Sequence, residues 1–273
     1  MSLTPDYDSF AAGYAAGKNQ IVYTRLAADL DTPVSLMLKL TGAAQNAFVL
    51  ESVTGGEVRG RYSIIGMKPD LIWRCQGTTS AINRSARYDV DAFDDVAGDP
   101  LDTLRAVIAE SKIELPDDLP QAAAGLFGYL GYDMIRLVEH LPNVNPDPMG
   151  LPDAMMVRPS VIAVLDGVKG EVTIVSPAWV SKGQSAKAAY AQAAERVMDA
   201  VRDLERSMPG TSRDLGDAHE ESAPVSNFTR EGYKSAVEKA REYIVAGDIF
   251  QVVPSQRWAQ GFSQPPFALY RSL

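Results

Sequence analysis

Short runs of β-branched and aromatic residues recur along the first two thirds of this chain, and they constrain its fold more than any other feature. Gly, Pro and charged residues separate the runs, which is typical of strands joined by turns. The runs are QIVYTRL, AFVLES, RYSIIGM, DLIWRCQG and the alternating segment TTSAINRSARYDV. MMVRPSVIAVLD and EVTIVSP, joined by GVKG, have the clearest hairpin pattern. The sequence therefore predicts a mainly antiparallel sheet.

Helix signals lie between and after these runs. Thr32 and Asp99 are each followed by proline, the pattern of an N-cap and a first helical residue, and Gly42 ends the first of these helices. Apolar residues with helical spacing and no proline predict a longer helix from about residue 187 to 205. Residues 1–19 are polar with scattered Gly and Ala, so we predict a loose lead-in there.

A polar stretch at residues 209–226 divides the chain. It contains Pro, Gly, Ser and acidic residues with almost no apolar side chain, which is typical of a linker or a disordered loop. After it, Thr229 caps a predicted helix that stops at Gly247, and IFQVVPSQRW has the pattern of a buried strand. A segment this short cannot form its own core. It either adds elements to the first domain or begins a second domain of a longer protein.

Charge and composition exclude several classes of protein. Lys and Arg number 26 against 35 Asp and Glu, which disfavours binding to nucleic acid or to an anionic membrane surface. The acidic N-terminus lacks a signal-peptide pattern, and no apolar run reaches the roughly 18 residues of a membrane span. The single cysteine, Cys75, lies in a strand-like run and is predicted to be a small buried hydrophobe. We expect a soluble cytoplasmic protein.

Common catalytic motifs are absent from the sequence. A zinc site or a Ser-His-Asp triad would depend on His140 or His219, and both lie in turn-like or acidic stretches that favour surface or capping roles. Gly125, Gly128 and Gly131 recur every three residues, as in a phosphate-binding loop. They lack a lysine and are flanked by aromatic residues. This favours a strand and turn in which glycine permits close backbone packing.

Two longer segments of the sequence match motifs of a known protein family. VLESVTGGEVRGRYSIIGMKP, at residues 49–69, resembles the L-L-E-S…G-R-Y-S-x-I-G signature of the anthranilate synthase component I family, with Val49 in place of the first leucine. FTREGYKSAVEKAREYIVAGDIFQVVPSQRW, at residues 228–258, resembles the start of the chorismate-binding domain of the same family, and AGLFGYLGYDMIR between them is also similar. The resemblance covers about residues 20–273.

The resemblance implies an α+β fold with two stacked, mainly antiparallel sheets and helices outside, the second half being incomplete. It implies an N-terminal domain at residues 20–208, a linker at 209–226 and the truncated start of a chorismate-binding domain at 227–273. The chain is then an N-terminal fragment, inactive alone. The family's catalytic histidine and its ligands for Mg²⁺ have no counterpart position here, so no metal site is expected in this chain.

The resemblance also implies a reaction. The family converts chorismate and ammonia to anthranilate and pyruvate in tryptophan biosynthesis, and a glutamine amidotransferase subunit, component II, supplies the ammonia. Tryptophan inhibits by feedback. Two alternatives stay open: aminodeoxychorismate synthase component I, and a non-catalytic amino-acid-binding module of the same fold. The L-E-S and GRYSIIG segments favour anthranilate synthase.

Five residues are carried over to the tryptophan site. Leu50, Glu51 and Ser52 match the tryptophan-binding segment, where a short serine with neighbouring backbone groups suits an amino-acid ligand. Without the resemblance, Ser52 would be interpreted as a strand-edge serine satisfied by backbone. Arg61 and Tyr62 are weaker candidates for the same pocket.

One residue, Gln251, is carried over to the active site. Related chorismate enzymes that add water have a lysine at this position, and those that add ammonia have glutamine. The resemblance therefore makes Gln251 a wall of the active site, whereas the sequence alone makes it a polar residue on one side of a strand.

Overall fold

The computed structural model describes residues 2–42, 44–52, 60–142, 144, 146–208 and 223–273. The chain divides into two compact units, residues 1–209 and 210–273. Most of the predicted linker lies outside the described residues, and the predicted domain boundaries stay a prediction. None of the helices in these described ranges is both long and apolar enough to cross a membrane.

The first unit contains one large sheet with the strand order β1-β8-β7-β3-β4-β5, to which β2 is added beside β3 and β6 beside β7. Its strands are β1 Gln20–Ala27, β2 Phe48–Leu50, β3 Tyr62–Gln76, β4 Thr79–Asn83, β5 Asp94–Val96, β6 Phe127–Leu130, β7 Ala154–Asp166 and β8 Glu171–Ala178. Every pairing is antiparallel. The mainly antiparallel α+β class and the β7–β8 hairpin are confirmed. The stacking of two large sheets stays a prediction, because the described residues form only one.

Helices cover the sheet of the first unit. They are α1 Tyr7–Ala15, α2 Pro33–Thr41, α3 Pro100–Glu110 and α4 Ala186–Glu205, with 3-10 turns at Gln121–Ala123 and Tyr132–Leu137. The caps of α2 and α3 are as predicted. Thr32 and Ser35 form a reciprocal capping box, Gly42 ends α2 at φ 53°, and the Asp99 side chain accepts a hydrogen bond from the Leu101 amide.

The predicted loose lead-in is wrong, because residues 7–15 form α1. The Asp6 side chain accepts a hydrogen bond from the Ser9 amide at 2.8 Å and caps this helix. Phe10 and Tyr14 are buried, and the Phe10 ring lies 5.1 Å from the Tyr190 ring of α4. Burial of this aromatic face against α4 outweighs the weak helix propensity of the glycine and acidic residues around it.

The runs RYSIIGM and DLIWRCQG form one strand, β3, where the sequence predicted two. Lys68 has a positive φ of 51°, and the register with β7 shifts between Pro69 and Leu71. A bulge of this kind bends a strand without ending its pairing. Since β7 stays paired with β3 on both sides of the bulge, the two runs belong to the same strand.

Cys75 lies on β3 in the core beneath α3. It is fully buried, packed in a cluster with Leu71, Trp73 and Val107, and burial raises the pKa of its thiol. The Trp73 indole donates to the Thr103 hydroxyl at 3.0 Å, which satisfies its polar atom inside the core. The interpretation of Cys75 as a small buried hydrophobe is confirmed.

The second unit contains α5 Arg230–Ala246, α6 Pro266–Ser272 and the two-stranded sheet of β9 Val225–Ser226 and β10 Trp258–Ala259. The Thr229 cap and the Gly247 stop of α5 are confirmed. The buried strand predicted for IFQVVPSQRW is wrong, since Phe250 is 94% exposed and residues 249–257 have no strand structure. A strand needs a neighbour for its backbone groups. The described part of this unit offers only β9.

The strand β6 lies very close to β7 at its glycines. A Cβ added to Gly128 would collide with the carbonyl oxygen of Met155, and one added to Gly131 would lie 2.7 Å from the carbonyl oxygen of Asp153. Real Cβ atoms do not approach backbone this closely. The prediction of a strand and turn with close backbone packing is therefore confirmed.

We predict that Gly128→Ala lowers the free energy of unfolding by about 1–3 kcal/mol, because β6 must move away from β7. Gly167→Ala is the matched control, since its added Cβ would meet its nearest neighbour, the Arg61 carbonyl oxygen, at 3.5 Å. The control is expected to cost about 0.5 kcal/mol or less. Urea unfolding followed by circular dichroism measures both, and equal losses would contradict the close packing at Gly128.

Candidate functional site

The predicted tryptophan-binding residues of the first unit lie together at one end of the large sheet. Leu50, the last residue of β2, is opposite Ile64 of β3, so the chain leaves β2 beside the point where β3 begins. The Ser52 amide donates a hydrogen bond to the Ser63 hydroxyl at 3.4 Å. The structure therefore brings Leu50–Ser52 close to the start of β3, although residues 53–59 between them lie outside the described residues.

A groove of about 570 Å³ adjoins this site. One wall is residues 46–48 and Leu50 around β2, the other is residues 126–129 around β6, and Met155 and Val157 of β7 also line it. The rings of Phe48 and Phe127 lie 4.7 Å apart between the two walls. Since nearly all of these side chains are apolar, the groove suits the ring or hydrocarbon part of a small ligand.

Glycine at position 66 allows the Phe48 wall to form. A Cβ added to Gly66 would collide with the Phe48 ring, so the lack of a side chain at this position of β3 leaves room for that ring. On the other wall, the Tyr129 hydroxyl donates to the Pro152 carbonyl oxygen at 2.8 Å. Burial raises the pKa of Tyr129, and the charge of Asp153 adds to the shift. Both effects favour the neutral form of the Tyr129 hydroxyl.

Arg61 is held by an ion pair at the start of β3. Its Nε donates to Asp166 Oδ1 at 2.9 Å, and its Nη2 donates to Asp166 Oδ2 at 2.6 Å. The guanidinium also lies 5.0 Å from the centroid of the Tyr62 ring. The hydrogen bond from Arg61 is the largest cause of a lowered pKa at Asp166, and the backbone amides of Lys169 and Val168 add to it. Arg61 and Tyr62 are thus ordered around a buried carboxylate.

Sequence reasoning missed Asp166. A signal was present, because Asp-Gly in DGVKG occurs where a hairpin turns and an aspartate there commonly accepts hydrogen bonds from backbone amides two or three residues later. The Val168 and Lys169 amides donate to Asp166 Oδ1 in this way. Nothing in the sequence pairs this turn with Arg61, which is 105 residues away.

The remaining candidates lie elsewhere. Gln251 is in the second unit, exposed and outside regular secondary structure. His140 is exposed, and His219 lies outside the described residues. In the described ranges, no group of three or more His, Cys, Asp and Glu side chains could hold a metal ion. Among the described residues, the predicted tryptophan site thus has an apolar groove and, following Leu50, the exposed polar residues Glu51 and Ser52.

We predict that Asp166→Asn destabilises the chain by about 2 kcal/mol at pH 7, because it removes a charge-assisted pair from a nearly buried position. The pKa of Asp166 is lowered in the folded state, so its contribution is complete above the ordinary value of 3.8 and is lost as pH falls through the folded-state pKa. The difference from the unaltered chain should shrink below pH 3.8.

Urea unfolding between pH 7 and pH 3 checks this expectation. Asp118→Asn is the matched control, because the Arg25–Asp118 pair has a 2.6 Å contact but lies at the exposed surface. The control should cost less than about 1 kcal/mol. A loss at Asp166→Asn that stays constant across this pH range would show that ionisation of Asp166 does not contribute.

Comparisons with known proteins agree with this fold. The chain is 71% identical over 267 residues to anthranilate synthase component 1 of Cereibacter sphaeroides, covering 98% of this chain and 53% of that protein. It is 37% identical over 246 residues to anthranilate synthase component 1 of Thermus thermophilus, covering 90% of this chain and 49% of that protein. The chain thus spans about half the length of the curated relatives it matches.

A solved structure and a family profile extend the match. The crystal structure of anthranilate synthase component I from Streptococcus pneumoniae TIGR4 superimposes with a TM-score of 0.64 at 25% identity, covering 91% of this chain and 52% of that chain. The profile described as chorismate binding enzyme matches residues 52–273, which include most of both units. The resemblance seen in the sequence is confirmed, and the chain belongs to the family of chorismate-binding enzymes.

Proposed function

We propose that this chain is part of the large subunit of an anthranilate synthase, which converts chorismate and ammonia to anthranilate and pyruvate in tryptophan biosynthesis. The observation that carries the proposal is the 71% identity to the Cereibacter sphaeroides protein over 98% of this chain. In this reaction ammonia adds at C2 of chorismate, the 4-hydroxyl group leaves, and pyruvate is then eliminated. Ammonia comes from a glutamine amidotransferase subunit, and the protein works in the cytoplasm.

Within this function, the first unit binds the feedback inhibitor tryptophan. An indole ring requires an apolar surface, and the groove beside Leu50 offers Phe48 and Phe127 for that contact. The ammonium and carboxylate of the ligand require polar groups at one end of the groove. Glu51 and Ser52 follow Leu50 directly and are exposed, so they can supply these groups.

The chemical step belongs to other parts of the enzyme. Gln251 is proposed as a wall of the active site, where a neutral amide does not activate water as a lysine base does. Mg²⁺ is part of the proposed reaction, but the described residues form no cluster that fits it. The described residues contribute inhibitor binding and, at Gln251, a surface of the catalytic site.

The reaction itself can be tested by product analysis. The chain alone, with chorismate, magnesium and ammonia, should form no anthranilate, because its described residues contain no metal-binding carboxylate cluster. The chain fused to the part of the Cereibacter sphaeroides protein beyond the matched segment should form fluorescent anthranilate. That added part alone is the control. Aminodeoxychorismate as the sole product would identify the alternative synthase, and tryptophan binding by a fusion that forms neither product would favour a binding module.

Feedback inhibition can be tested in the same fusion protein. Ser52→Phe should raise the inhibition constant for tryptophan at least about tenfold with kcat within about twofold, since bulk there blocks a site separate from the chemistry. Ser207→Phe, at an exposed serine after α4, is the matched control and should leave inhibition unchanged. Unchanged inhibition in Ser52→Phe would show that the inhibitor binds elsewhere.

A further inference from the structure

The ion pair between Arg61 and Asp166 joins two parts of the sheet that are distant in sequence. Asp166 is the last residue of β7, and its two carboxylate oxygens accept hydrogen bonds from the Arg61 guanidinium and from two amides of the β7–β8 turn. The Gly167 amide also donates to the Arg61 carbonyl oxygen at 3.0 Å. Both the side chain and the backbone of Arg61 are therefore fixed by the hairpin turn.

Ser63 connects this anchored point to the proposed inhibitor segment. It lies two residues after Arg61, opposite Leu165 of β7, and is 7% exposed. Its hydroxyl accepts the hydrogen bond from the Ser52 amide. The hairpin turn, Arg61, Ser63 and Ser52 are thus linked in series by hydrogen bonds and by the backbone of residues 61–63, at the same end of the sheet as the site.

The segment Leu50–Ser52 depends on such contacts. The strand β2 has only three residues, so few ladder hydrogen bonds hold its end in place. Ser52 itself lies beyond the strand and is exposed. Its described backbone contact is with Ser63, whose own position depends on where β3 begins.

We propose that Arg61 is a positioning residue for the tryptophan site and not a contact of the ligand. Its ion pair with Asp166 holds the first residues of β3 in place. The Ser63 hydroxyl, on the same stretch of strand, in turn holds the backbone of Ser52 through their hydrogen bond. A ligand carboxylate would have to compete with Asp166, which already holds the guanidinium through two hydrogen bonds. The inference rests on the proposed function and specifies which residues keep that site in its binding geometry.

Asp166→Asn separates the two roles of Arg61. It keeps the shape of the side chain but releases the guanidinium from its charged partner. If Arg61 contacted the ligand, the released guanidinium would bind as well as before or more tightly. If Arg61 is a positioning residue, binding weakens, and Arg61→Lys weakens it too because an ammonium group cannot reproduce the two-pronged pair.

The binding experiment uses 5-fluorotryptophan and the whole 273-residue chain. Ligand-observed ¹⁹F NMR follows dissociation constants into the millimolar range. We expect the dissociation constant to rise about tenfold in Asp166→Asn and in Arg61→Lys, a change of about 1.4 kcal/mol. Asp118→Asn, which removes the surface pair with Arg25, should leave it unchanged.

A ligand-free measurement tests the positioning step itself. The solvent-exchange rate of the Ser52 amide, measured by NMR, should rise severalfold in Asp166→Asn, whereas amides at the far end of β3, such as Trp73, should be unaffected. A merely structural pair would raise exchange rates across the sheet in proportion to the lost global stability. An unchanged exchange rate of the Ser52 amide, or an equal rise in exchange rate across the sheet, would overturn the inference.

The outcomes distinguish the inference from the proposed function. If Ser52→Phe abolishes 5-fluorotryptophan binding but Asp166→Asn binds as tightly as the unaltered chain, the positioning role is wrong and the tryptophan site stands. If the unaltered chain shows no binding, or if Ser52→Phe binds normally, the proposed site is wrong and the positioning role falls with it. Weaker 5-fluorotryptophan binding in both Asp166→Asn and Arg61→Lys, together with faster solvent exchange of the Ser52 amide in Asp166→Asn, supports the inference.

Discussion

The pairing of β3 with β7 is the interaction on which the rest of the first unit depends. The two strands are paired from Tyr62 opposite Asp166 to Cys75 opposite Ala154, with a bulge after Pro69. Because β7 occupies one edge of β3 along this length, β2 and β4 pair with successive parts of the other edge. In the same way β6 and β8 pair with successive parts of the outer edge of β7. A change in the central register would therefore move every attached strand.

The two ends of this central pair differ in chemistry. At the end near Cys75, α3 covers a cluster of buried apolar side chains in which the Trp73 indole donates a hydrogen bond to the Thr103 hydroxyl. At the other end, the strands finish in a polar network around Asp166. The apolar groove between β2 and β6 is lined by Met155 and Val157 near the start of β7 and extends toward the Asp166 end at Leu50. A site for an amphipathic amino acid needs both kinds of surface side by side. The sheet provides them because short β2 ends where β3 begins.

The second unit has no buried core of its own among its described residues. Its helix α5 has no buried residue, although its apolar side chains have helical spacing, and Phe250 is almost fully exposed. Apolar side chains of this size are normally covered in a working protein. The curated relatives are about twice as long as this chain, and the proposed catalytic function requires residues beyond those described here.

The sequence alone was enough to predict the helix caps, the β7–β8 hairpin, the burial of Cys75 and the protein family, because each has a signal in residues close together in the chain. Thr32, Gly42 and Gly247 act within a few residues of their own position, so their roles can be inferred without the fold. Features that depend on distant partners were decided by the tertiary structure. The helix α1 is stabilised by the packing of Phe10 against Tyr190, and β3 is continuous because β7 pairs with it on both sides of the bulge. The tertiary structure also decided that Arg61 meets Asp166. Side chains 105 residues apart carry no local signal of each other, and only the register of two antiparallel strands places them in contact.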